Sequence, residues 1–282
     1  MSLVPTGDLV ARAAAEHSCV TAFNVITLEH AEGIVTGAEA ADRPVILQIS
    51  ENAVRYHGGR LTPLALAASS IAQTATVDVA LHLDHVTDIS LLHQAADTGF
   101  SSVMFDAGAL PYAANLAATA SAARWAHEAG LWIEAELGYV GGKPDSPASA
   151  HTEGVRTDPA EAADYVARTG VDALAVAVGS SHAMTERSAA LDHTLIARLR
   201  EAVPVPLVLH GSSGVPDAEL RAAVLAGMVK INIGTALNIS LTHTVREVLL
   251  REPALTDPRK YLGPARDAVM TTVRDVLTVL AT

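Results

Sequence analysis

Short β-branched or apolar runs recur along the chain, each followed by a polar or glycine-containing loop and then a longer Ala/Leu/Arg/Glu segment with helical spacing. Eight such runs, 20–25, 45–50, 79–83, 101–105, 131–137, 173–178, 207–209 and 229–233, read as strands. The segments 29–41, 64–75, 89–98, 115–129, 159–168, 194–202 and 217–226 read as the helices between them. Asp158-Pro159 and Pro216-Asp217 mark helix starts, and Gly99, Gly130, Gly170 and Gly227 sit where helices should stop. Continuous apolar strands alternating with helices imply a parallel sheet covered on its faces, and eight repeats allow closure. The expected architecture is an α/β fold, a (β/α)8 TIM barrel, formed by residues 1–282 as one domain. The segments 236–251 and 264–280 add helices at the C-terminal end. The rival, an open doubly wound sheet, lacks a strand followed by G-x-G-x-x-G opening a helix.

Composition narrows the function classes. Half of the 282 residues are hydrophobic but only 4% are aromatic, so Ala, Val, Leu and Ile must build the core. The formal charge of -12 repels nucleic acid and anionic membranes, and neither is expected as a partner. A single cysteine, Cys19, excludes an intramolecular disulfide and fits a reducing compartment. The N-terminal stretch lacks a basic start, and no apolar run approaches the ~18 residues of a membrane span. A cytoplasmic location is expected.

In a parallel barrel the active site lies at the carboxyl ends of the strands. Polar residues are plentiful there: Asn24, Ser50, the Asp84-His85 pair, Asp106, Glu134 and Glu136, His182, His210, Asn232 and Thr235. Each alone reads as an ordinary cap or satisfied polar residue, but their convergence on one rim does not. His85, His182 and His210 are far from any zinc-finger spacing, so only the fold can unite them. If it does, three imidazoles and an open position make a catalytic zinc site, with zinc the preferred ion. Among the other histidines, His82 reads as a packed core residue, and His17, His30, His57, His93, His127, His151, His193 and His243 as solvated surface.

Two turns suggest an anion site. His210 is followed by Gly211-Ser212-Ser213-Gly214 before a helix, and Asn232-Ile233-Gly234-Thr235 leads directly into another. Backbone N–H groups at such turns, with the Ser213 and Thr235 hydroxyls, can cradle phosphate. The Gly/Pro/Ser-rich loop 138–154 reads either as a tolerated insertion or as an active-site lid.

These segments resemble the class II, zinc-dependent fructose-bisphosphate and tagatose-bisphosphate aldolases nearly end to end. AFNV, VILQIS with ENAVRYHGG, LHLDH, FSSVMFDAG, IEAELGYVGG, VLHGSSGVP, KINIGT and DPRKYLGPARDAV follow that family's order. The resemblance implies a lyase that cleaves a ketose 1,6-bisphosphate to dihydroxyacetone phosphate and an aldehyde. It implies zinc on His85, His182 and His210, with Asp84 as the acid/base at the aldehyde-derived hydroxyl. Asp106 and Glu136 would order the histidines or serve a second ion, and a monovalent cation is a further expected cofactor. Gly211, Ser213 and Thr235 match phosphate positions, Asn232 a substrate contact, and Asn24 and Ser50 complete the expected substrate-binding set. The family also implies a homodimer or homotetramer.

The chain departs from that pattern at three places. Pro144 stands where the family has a loop glutamate that handles the dihydroxyacetone-phosphate carbon proton; Asp145, His151 and Glu153 are the candidate replacements. Ala183 follows His182 where relatives commonly have glycine, and Gly234 stands where they often carry a polar side chain. Schiff-base chemistry on lysine is the bottom-up rival. Lys143, Lys230 and Lys260 are the lysines, and Lys230 lies two strand residues before Asn232, ~7 Å below the rim. An aldolase for another phosphorylated ketose, a zinc hydrolase and a non-catalytic binder of metal or sugar phosphate remain open. Arg55 reads as a surface residue or as a contact for a distal phosphate.

Overall fold

In a computed structural model, which describes residues 2–138, 140 and 156–281, the eight apolar runs form a closed parallel barrel in sequence order. The strands are β1 Val20–Asn24, β2 Val45–Ser50, β3 Val79–Val86, β4 Ser102–Phe105, β5 Trp132–Leu137, β6 Ala173–Val176, β7 Leu207–Leu209 and β8 Met228–Ile233. Pairing of β1 with both β2 and β8 closes the ring. The protein is a (β/α)8 TIM barrel.

Eleven α-helices occur among the described residues: α1 Thr6–Ala15, α2 Leu28–Ala41, α3 Glu51–Tyr56, α4 Leu61–Thr74, α5 Ile89–Gln94, α6 Tyr112–Glu128, α7 Pro159–Thr169, α8 His193–Ala202, α9 Asp217–Ala226, α10 Thr235–Arg251 and α11 Arg259–Val279. The sequence pattern missed α1 and α3. The first places Leu9, Val10 and Ala13 against Val20, Ala22, Ile46 and Ala80, plugging the end of the barrel where strands begin. The second is too short to show a period. The expected helix 89–98 stops at Gln94, so Gly99 does not close it. Helix α11 begins before Pro264 and carries that proline inside its first turns.

Strand alternation divides the sheet into two surfaces. One set of residues, including Phe23, Leu47, Leu83, Val103, Ile133 and Ile231, packs under the helices as the main core. The other set lines the barrel, and its middle and upper layers are polar: Gln48, His82, Asp84, Glu134, Lys230 and Asn232 are all buried. Burial of so many polar side chains is costly unless each has a partner or a task.

Candidate active site

Asp84 and His85 are neighbours on β3, so alternation should send one inward and the other toward the helices. The chain avoids this at His85, whose φ of 49° is left-handed and coincides with a register shift between Leu83 and Val86. The kink turns the imidazole over the barrel mouth. Its ring centroid lies 5.1 Å from that of His182, in the loop after β6, and 4.9 Å from that of His210, at the end of β7. His182 and His210 are 5.6 Å apart, closing the triangle.

Carboxylates orient two of the rings. His85 donates from Nδ1 to Asp106 Oδ2 at 3.0 Å. His210 lies between Glu136, 2.9 Å from Nδ1, and Glu134, 2.9 Å from Nε2. Glu134 was expected on the rim, but its place in the strand puts it one layer below, fully buried, where its second oxygen accepts from Lys230 Nζ at 2.8 Å. Burial alone would lower the His210 pKa; the two carboxylate hydrogen bonds outweigh it and raise the value to about 9. Burial and the neighbouring imidazoles hold His182 below its ordinary range, against the pull of Glu136. His182 Nε2 is buried without a hydrogen-bond partner among the described residues. One ligand atom each from His85, Glu136, His182 and His210 lies within 4.8 Å of the others, so the cluster could hold a metal ion.

Beside this cluster, Asp84 is 2% exposed and its Oδ1 has no hydrogen-bond partner among the described residues. Burial opposes its charge, but His85, His82 and His210 more than compensate and keep its pKa below the usual carboxylate value. His82, packed inside as expected, bonds through Nδ1 to Ser102 Oγ at 2.7 Å, with Nε2 3.8 Å from Asp84 Oδ1. Burial and Lys230 push its pKa down to about 3, so it is neutral. Across the barrel, both polar side-chain atoms of Asn232 are buried and unpartnered among the described residues. Asn24 Oδ1 accepts from Gln48 Nε2 at 2.8 Å. Gln48 was missed, although a lone amide in an otherwise apolar strand was the signal.

The two glycine turns meet. Gly211 has φ 67°, and a Cβ there would lie 2.5 Å from the Ser181 carbonyl oxygen. Ser213 Oγ accepts the Ala236 N–H at 3.1 Å, tying the turn after β7 to the start of α10, of which Thr235 is the first residue. Ser50 Oγ accepts the Ala53 N–H and caps α3, which leaves its hydroxyl proton to donate elsewhere. Arg55 is exposed and ion-paired with Glu51. The surface reading fails for His30, which is 3% exposed, completes a capping box with Thr27 and bonds to Asn238. Asp145, His151 and Glu153, with Lys143, Pro144 and most of the expected lid, lie outside the described residues.

Comparison with known proteins places the chain in a family. The family described as fructose-bisphosphate aldolase class-II matches residues 4–282. A fructose-bisphosphate aldolase of Geobacillus stearothermophilus is 39% identical over 275 residues, spanning 97% of this chain and 95% of that protein. One from Thermus caldophilus is 37% identical over 295 residues, spanning 96% of each. The crystal structure of the YdjI aldolase from Escherichia coli K12 superposes with a TM-score of 0.83 at 31% identity, covering 99% of this chain and 97% of that one. The chain therefore belongs to the class II fructose-bisphosphate aldolase family.

Proposed function

We propose that the protein is a zinc-dependent aldolase that reversibly cleaves a ketose 1,6-bisphosphate, of fructose or tagatose type, to dihydroxyacetone phosphate and an aldehyde. The observation that carries this reading is the convergence of His85, His182 and His210 beside a buried carboxylate, Asp84. Three imidazole nitrogens, with His182 Nε2 making no hydrogen bond among the described residues, suit a borderline-soft divalent ion such as zinc. When bound, the ion supplies fixed positive charge where oxyanion charge develops on the ketose.

The chain's own residues do the rest. Asp84, held ionised, takes the proton of the C4 hydroxyl as the C3–C4 bond breaks and the aldehyde forms; in condensation it returns that proton. The bonding pair stays with C3, which is then protonated by a loop group; Asp145, His151 and Glu153 are the candidates. Asn232, whose two amide atoms are buried without a hydrogen-bond partner among the described residues, hydrogen-bonds substrate oxygen. Asn24 and Ser50 border the same mouth as further substrate contacts. Gly211, Ser213 and Thr235 hold the phosphate near the α10 N-terminus. Asp106 orients the imidazole of His85 and Glu134 that of His210 through Nε2, so that His210 Nδ1, which now faces Glu136, would be the nitrogen given to the ion.

The test is triose phosphate release from ketose 1,6-bisphosphates by zinc-loaded, chelator-treated and re-metallated protein. Loss with chelator and return with zinc are expected. Turnover indifferent to chelator, or substrate binding without turnover, would contradict the proposal.

A further inference from the structure

The left-handed kink at His85 carries the whole site, yet histidine has a Cβ and gains nothing from that conformation. Something must hold the chain there. Asp106 fixes the ring, and its N–H donates to the Val86 carbonyl at 2.8 Å. The backbone just beyond is gripped from another side, by Glu51, the first residue of α3. Its carboxylate is only 7% exposed and receives the Thr87 N–H at 2.6 Å, the Asp88 N–H at 3.3 Å and the Thr87 hydroxyl at 3.0 Å. Arg55, one turn along α3, pairs with the same carboxylate from the solvent side.

An acidic side chain in a first helical turn ordinarily interacts with its own helix N-terminus. Glu51 instead collects donors from two consecutive residues 36 and 37 positions later in sequence, next to the kink. Such charge-assisted bonds are roughly twice as strong as neutral ones, and here burial shields them from water. Because Thr87 is two residues past His85, fixing its amide fixes where β3 leaves the sheet, and so the direction of the His85 side chain.

We propose that Glu51 is a positioning residue, whose grip on the Thr87 and Asp88 amides holds the kink that turns the His85 imidazole over the barrel mouth. The proposal rests on His85 serving the metal site described above; Glu51 itself does not touch that site.

Three variants test it: Glu51→Gln, Thr87→Val, which deletes one donor and keeps the β-branched shape, and Arg55→Met, which removes the outer ion pair only. On metal-free protein, amide exchange at Thr87 and Asp88 and the NMR signal of the His85 Nδ1 proton are followed. Zinc affinity is measured by chelator competition. Glu51→Gln should accelerate exchange at both amides, shift or broaden the His85 signal and weaken zinc binding by about 10- to 100-fold, as loss of a ligand-orienting group does. Thr87→Val should act in the same direction but less, and Arg55→Met should bind zinc like the parent. Unaltered His85 signals and zinc affinity in both Glu51→Gln and Thr87→Val would overturn the proposal. If the parent protein binds no zinc, the metal reading falls, and amide exchange with the His85 signal alone decides for or against the grip.

Discussion

Lys230 Nζ stands 2.8 Å from Glu134 Oε2, and neither side chain has any exposure. The pair lies beneath the barrel mouth, and the other Glu134 oxygen takes the His210 Nε2 hydrogen bond. Lys230 is thus spent as a counter-charge, which removes it as a Schiff-base nucleophile and makes it a support for His210.

Lys230→Met should therefore leave an uncompensated buried carboxylate and cost about 3–5 kcal/mol of stability. The double variant Lys230→Met/Glu134→Gln, which removes both charges, should recover much of that loss. Urea unfolding of chelated protein checks both; a double variant no more stable than the single would show that charge pairing is not what Lys230 supplies.

The pH dependence follows from His210. Its pKa is raised in the fold, from 6.5 to about 9, by the hydrogen bonds to Glu134 and Glu136 acting against burial. A group with a raised folded value stabilises the fold fully below its unfolded pKa, and that contribution fades as pH climbs from 6.5 through about 9. Metal-free protein should lose stability across this window relative to His210→Gln. A divalent ion competes with the same proton, so metal affinity should rise with pH. A stability difference between parent and variant that is flat with pH would contradict the assignment.

Asp84→Asn keeps the shape but cannot accept a proton. Its kcat should fall by about 10²–10⁴-fold, while zinc affinity stays near the parent value. Zinc titration and steady-state kinetics on the same preparation separate the two effects, and an unchanged kcat would remove Asp84 from its role.

Gly211→Ala places a Cβ at φ 67° and 2.5 Å from the Ser181 carbonyl oxygen. Backbone strain of this kind costs about 1–3 kcal/mol, and the turn must shift. Affinity for dihydroxyacetone phosphate should weaken more than affinity for zinc, as calorimetry with each ligand would show. Equal weakening of both would mean that the turn does not belong to phosphate recognition.

The barrel was legible because its strands are mostly apolar runs and the longer helices between them carry a 3.6-residue period, signals that depend only on burial. The histidine cluster was legible as well, because strand ends in such a barrel face one mouth. Much of what escaped was set by side-chain direction. Alternation alone would point His85 away from His210, and nothing in LHLDH announces a left-handed histidine. Ala183 beside His182 is left-handed too, at φ 58°, in a position where the family's usual glycine would sit without strain. Glu134 read as a rim residue, Lys230 as a lysine below the rim and Gln48 drew no reading, because a polar barrel interior contradicts the apolar strand rule. Glu51 drew no reading of its own because its partners lie across the chain at Thr87 and Asp88.

The most direct test of the account is anomalous diffraction at the zinc edge from crystals grown with the ion. One strong peak is expected among the His85, His182 and His210 nitrogens, bordered by Asp84. A zinc peak elsewhere, or none in the presence of saturating ion, would contradict it.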